Sequence, residues 1–167
     1  MSPDQWDLPT PCTEWSVRGV VQHLVAGNHL FARALTDEPS PVDLPDVPAG
    51  EWPATYDASA DALLAAFSAP GVLERVVTVP FGTVPGAVAL QLRLVENLVH
   101  GWDLARATGQ PARHEDRVAE AALVFTRARL ADVPAGRTPF GPPQPVADDS
   151  PALDRLAAAL GRRVRPT

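Results

Sequence analysis

Between Arg93 and Gly109 the chain reads RLVENLVHGWDLARATG, and the spacing in and around this stretch decides the fold. Val88, Leu92, Val95, Val99 and Trp102 recur at steps of three and four, the period of one helical face, so a helix with that stripe toward the core is expected. Pro85 suits a first turn, Gly109 supplies a left-handed stop and Pro111 follows it, which sets the helix at roughly Pro85 to Thr108. Arg93, Glu96, His100 and Asp103 fall together on one flank of the stripe, because β-carbons three or four residues apart are only about 5–6 Å apart. Carboxylate and imidazole groups bordering a core are unfavourable unless paired or coordinated, so this column needs a partner.

Working outward, CTEWSVRGVVQHLVAGNHLFARALTDEP reads as a first long helix, capped by Thr13 or Ser16 and ended by Pro39. Its apolar stripe is Val17, Val20, Val21, Leu24, Phe31 and Leu35. A loop rich in proline and acids covers Pro39 to Pro53, and PATYDASADALLAAFS follows as a second, Ala-rich helix. ERVVTVPFGT, with β-branched residues around Pro80 and Gly82, suits a short extended pair or an irregular connector. Beyond the Arg93–Gly109 helix, HEDRVAEAALVFTRARLADV predicts a fourth, acidic early and basic late as the helix dipole favours. RTPFGPPQPVADDSP is extended, and a terminal helix runs from Pro151 to about Gly161. Amphipathic helices with so little strand signal imply an all-α bundle with a short connector and a C-terminal helix.

The 167 residues, 46% of them hydrophobic, suffice for one domain spanning 1–167. All fourteen basic residues are Arg, the net charge is −6, and only the tail Arg162, Arg163 and Arg165 concentrates positive charge, which argues against nucleic acid as a partner. The single cysteine and the absence of a secretory pattern at MSPDQWD suggest a reducing cytoplasm. The longest uncharged run, Val76 to Leu92, is interrupted by Pro80, Gly82, Pro85 and Gly86 and makes no membrane helix.

For the polar column two readings compete. Glu96 and His100 form a solvated surface pair contributing about 0.3–0.5 kcal/mol, or both are ligands of one ion, with a third donor from another element. His23 and His29 lie on opposite flanks of the first helix's stripe, and spacing does not choose between them. Cys12 sits in a Pro-x-Cys turn with no histidine beside it in sequence and reads as a packing residue. Trp6, Trp15, Trp52 and Trp102 read as core or loop anchors, Asn28 as satisfying a polar neighbour within its own helix, and His114 as a helix-start or solvent residue.

PTPCTEWSVR, HLVAGN, RLVENLVHGWDLARATG and the later FGPP resemble the actinobacterial DinB-like superfamily, in particular the mycothiol-dependent maleylpyruvate isomerase family and its small single-domain relatives. The resemblance covers most of the chain and is most specific from Arg93 to Gly109. It implies a DinB-like bundle in which a histidine of the HLV helix joins the Glu and His of the E-x-x-x-H helix on a metal, here His23, Glu96 and His100. Two imidazoles and a carboxylate leave a coordination position open, suit zinc first, and also accept nickel, iron or manganese. The resemblance further implies a low-molecular-weight thiol, mycothiol, activated toward an electrophile, hence a thiol S-transferase or a thiol-assisted isomerase. Asp103 would then orient a ligand and Arg93 hold an anionic group of thiol or substrate, unless they form salt bridges with each other or with neighbours. Two departures stand out. Family members generally begin with a helix before DQWDLPTPC, and the isomerase carries a further C-terminal domain where this chain has a short helix. They leave room for a homodimer and for an alternative function, a non-catalytic metal-binding bundle acting by association. Metal-assisted hydrolysis is a third option, weakened if Glu96 is a ligand.

Overall fold

A computed structural model describes residues 2–37, 47, 49–80, 82–112, 114–131, 133, 138 and 140–164. Among them are five α-helices, α1 (Val17–Thr36), α2 (Trp52–Phe67), α3 (Gly86–Thr108), α4 (Asp116–Leu130) and α5 (Ala152–Ala159), with a hairpin of β1 (Val76–Val79) and β2 (Gly82–Pro85) between α2 and α3. The architecture is the expected all-α bundle. No helix is long and apolar enough to cross a membrane among the described residues.

Local chemistry sets the ends of these helices. Ser16 is the cap of α1, its side chain accepting from the backbone N–H of Gly19, so the helix begins at Val17 rather than in the Cys12–Trp15 turn. It stops at Asp37, which takes a left-handed conformation (φ 58°) with its N–H bonded to the Arg33 carbonyl. Pro39, the stop expected from sequence, and most of the loop after it lie outside the described residues. At α3 the expected stop holds, with Gly109 left-handed at φ 69°. The connector resolves as the extended pair, antiparallel with Val77 opposite Val84. Gly86 is obligatory where it leads into α3, because a Cβ there would overlap the Val72 carbonyl oxygen.

The helix α3 is central. It packs on α1 along one side and on α4 and α5 along the other, while α1 also packs on α2. Three apolar clusters surround it. Val95, Val99 and Trp102 meet Leu123 of α4 and Leu153 and Leu156 of α5. Phe31, Leu35 and Leu63 close over the hairpin residues Val77, Val79 and Val84. Trp6, Val21, Val25 and Trp52 form the third, with the N-terminal segment laid on the start of α1 through Arg18 N–H to the Trp6 carbonyl and Val17 N–H to the Leu8 carbonyl.

The predicted core stripe of α3 is only partly right. Val95, Val99 and Trp102 are buried, but Val88 and Leu92 are only half-buried, and the polar column is buried more completely than either. Relative exposures are 2% for Arg93, 6% for Glu96, 3% for His100 and 0% for Asp103. A solvated surface pair is therefore ruled out for Glu96 and His100.

Candidate metal centre

With four ionisable groups buried in one column, each must find a partner nearby, and each does. His23 projects from α1 so that its Nε2 lies 2.8 Å from Glu96 Oε2. His100, one turn beyond Glu96, places its own Nε2 3.6 Å from the same oxygen. One ligand atom from each of His23, Glu96 and His100 lies within 4.8 Å of the others. His29, on the other flank of α1, is exposed and takes no part.

The far side of His100 is fixed as well. Its Nδ1 is 3.0 Å from Asp103 Oδ2, which directs the ring's Nδ1–H to that carboxylate and turns its Nε2 edge toward Glu96 and His23. Asp103 is fully buried and accepts two further bonds from Arg162, Nη2 to Oδ2 at 2.9 Å and Nε to Oδ1 at 3.3 Å. Arg162, read from sequence only as part of a short basic tail, is 6% exposed and tied to α3, because a buried carboxylate requires a cation. Arg165 lies outside the described residues.

Arg93 departs from the expectation that it holds an anionic group of thiol or substrate. Its Nε donates to Asn28 Oδ1 at 3.0 Å and its Nη2 to the Leu24 carbonyl at 2.6 Å, so the guanidinium binds α1 to α3. Gly27 makes room for it, since a Cβ there would overlap Arg93 Nη1. Asn28 likewise serves other helices rather than its own, donating from Nδ2 to Ser59 Oγ on α2 at 3.0 Å. The motif HLVAGN is thus a socket for Arg93, with Leu24, Gly27 and Asn28 as its walls.

Charges in the column balance in alternation. Burial opposes ionisation of Glu96, but hydrogen bonds with His100 and His23 outweigh it and hold the carboxyl well below the usual carboxylate range. Burial would lower His100, yet Asp103 and Glu96 overcome it and push the imidazole up. Burial pushes Arg93 down, partly offset by Glu96.

Two neighbours escaped the sequence reading. Trp15 stacks beside both imidazoles, its ring centroid 4.4 Å from that of His23 and 5.4 Å from that of His100. Cys12, with no histidine near it in sequence, has its sulfur within 4.8 Å of ligand atoms of His100 and Asp103. Burial pushes its thiol up, with Arg162 opposing and Asp103 adding to the rise. Both residues precede α1 in a turn braced by the Thr10 hydroxyl, which donates toward the Cys12 and Trp15 carbonyls. Only the tertiary fold carries that turn onto α3. His114, half-buried beyond the end of α3, lies 3.5 Å from Asp116 at the start of α4, on a separate cavity.

The donors fit a divalent ion. Two imidazole nitrogens and one carboxylate oxygen converge from two rigid helices, and the second nitrogen of His100 is held by a carboxylate, the arrangement that orients a histidine ligand.

The whole column lies within the stretch that matches a family model. Residues 1–105 match the model described as the mycothiol maleylpyruvate isomerase N-terminal domain, which includes His23, Glu96, His100 and Asp103 but not Arg162. Two uncharacterized proteins of Mycobacterium tuberculosis, from strains CDC 1551 / Oshkosh and ATCC 25618 / H37Rv, are each 37% identical over 163 residues, covering 97% of this chain and 87% of their own. No solved structure matches the chain. From the match over residues 1–105, the chain belongs to the mycothiol maleylpyruvate isomerase N-terminal domain family.

Proposed function

We propose that His23, Glu96 and His100 hold a divalent metal, zinc first, and that the protein is a metal-dependent thiol S-transferase or thiol-assisted isomerase using mycothiol. The observation that carries this reading is the convergence within 4.8 Å of three donor atoms, two from one turn of α3 and the third from His23, 73 residues before Glu96. Bound there, a divalent ion would supply Lewis acidity that turns a thiol, mostly protonated near neutral pH, into a thiolate. The chain's own residues do the rest. Asp103 holds the Nδ1–H of His100, Arg162 donates to Asp103 and fixes its position, and Trp15 covers one side of the two imidazoles against water. Mycothiol as the thiol is supported by membership of a family named for it.

Metal content of the purified protein tests the ligand set. Wild type should carry about one ion per chain and His100→Ala almost none; stoichiometric metal retained by the variant refutes the set. Conjugation of mycothiol with maleylpyruvate or chlorodinitrobenzene tests the activity. Conjugates that form with metal and vanish with a chelator support it, while a metal-loaded protein inactive across a broad panel of electrophiles refutes it.

A further inference from the structure

A cavity of about 530 Å³ lies between α3 and α4, within the size range of small-molecule sites. Leu92 and Val95 of α3, Phe125 and Leu130 of α4, and Phe140 give it apolar walls with two aromatic rings. Besides Thr138, whose hydroxyl donates to the Phe140 carbonyl, three polar features interrupt them. Glu96 is on its lining, the one residue this cavity shares with the three-donor cluster. Thr126 is 4% exposed, and its buried hydroxyl has no hydrogen-bond partner. A helical threonine usually bonds back to the preceding turn, so an unanswered hydroxyl on a cavity wall is a group awaiting a ligand. Arg129 lies three residues on, hence on the same face of α4, exposed at the rim and with no ion-pair partner among the described residues.

We propose that this cavity seats the electrophile and selects an aryl or branched apolar monoanion, its carboxylate at Arg129, its polar linkage at Thr126 and its reacting carbon beside Glu96. The assignment rests on the thiol-transfer reading of the neighbouring cluster. One cation at the rim accommodates one anionic group, whereas the apolar walls leave a second carboxylate desolvated with no partner, so a compact dianion is disfavoured. The apolar walls contribute affinity through the area they remove from water, and Arg129 contributes selectivity.

Calorimetry on the full chain with 4-phenylbutyrate, neutral 4-phenylbutanol and the dianion adipate tests this. The acid should bind at one site at least about fivefold tighter than the alcohol, with adipate weakest. Arg129→Gln, at an exposed position, should abolish the preference for acid over alcohol. Leu92→Trp, shown folded by circular dichroism, should weaken both by about tenfold or more by filling the cavity. Equal affinity for acid and alcohol in wild type, an acid preference that survives Arg129→Gln, tighter binding of adipate, or indifference to Leu92→Trp would each overturn the proposal. His100→Ala separates the two readings. Metal lost with phenylbutyrate affinity kept within about twofold supports both, whereas an ion retained there refutes the ligand set and leaves the cavity standing.

Discussion

His100 is held from both sides, and the two contacts do different things. Glu96 draws its Nε2 toward His23, while Asp103 holds its Nδ1 and is itself neutralised by Arg162. Replacing Asp103 with Ala leaves the buried Arg162 guanidinium without its carboxylate, which should lower unfolding free energy by about 3–5 kcal/mol in urea. Asp103→Asn should keep the fold better and weaken metal binding by about 10–100-fold, read by chelator competition. The pH dependence has an informative sign. Glu96, held below its ordinary range, stabilises the fold fully above that range and ceases to as acid reaches its depressed value. His100, raised above its ordinary value near 6.5, stabilises fully below that value and loses the contribution as pH climbs through the raised one. Metal-free protein should therefore have a higher urea midpoint at about pH 5.5 than at about pH 8.5. Metal-loaded protein should show the reverse, because protons expel the ion from both imidazoles. The same slope with and without chelator would contradict a metal at these histidines.

At the level of elements, α1 and α3 are keyed together by Arg93 in the Leu24–Gly27–Asn28 socket, with Ser59 of α2 bonded behind Asn28. The key sets the rotation and height of one helix against the other, and so brings His23 to Glu96. Gly27→Ala should force the guanidinium aside and destabilise by about 1–3 kcal/mol in thermal melts. Arg93→Lys should not substitute, since a single ammonium cannot reproduce two bonds diverging from a planar fork. In both variants metal affinity should fall although neither residue is a ligand. Unchanged affinity would detach the socket from the site. Periodicity showed that α1 and α3 exist and which residues share a flank. It was silent on the socket, since Gly27 and Asn28 look like a weak spot in a helix until Arg93 is set against them.

Across the whole molecule, the cluster joins segments separated by most of the chain. The Cys12–Trp15 turn, α1, α3 and Arg162 all meet there. An ion bound at such a junction stabilises the folded state by mass action, about 2.7 kcal/mol at a free concentration 100 times the dissociation constant. Zinc should therefore raise the melting temperature of wild type by several degrees and leave His100→Ala unmoved. Trp15 offers a second readout, since its indole lies against both imidazoles; its fluorescence should change on zinc binding, and Trp15→Phe should erase that change. A titration that alters neither signal would remove the support for a metal.

What the sequence determined by itself was local and periodic: five helices, a short non-helical connector that the fold then showed to be a hairpin, the left-handed stop at Gly109, and the common flank of Arg93, Glu96, His100 and Asp103. These follow from steps of three and four residues and from backbone preferences, which act within a turn or two of chain. The E-x-x-x-H resemblance named His23 as the third member, and the fold places it beside Glu96. Tertiary structure alone decided that the column is interior, that Arg93 locks helices together, that Arg162 leaves the tail for Asp103, and that Trp15 and Cys12 lie against the histidines. Each of these depends on groups brought together by packing, where burial removes water and makes every charge require a partner, and no spacing along one helix encodes which distant residue that partner is.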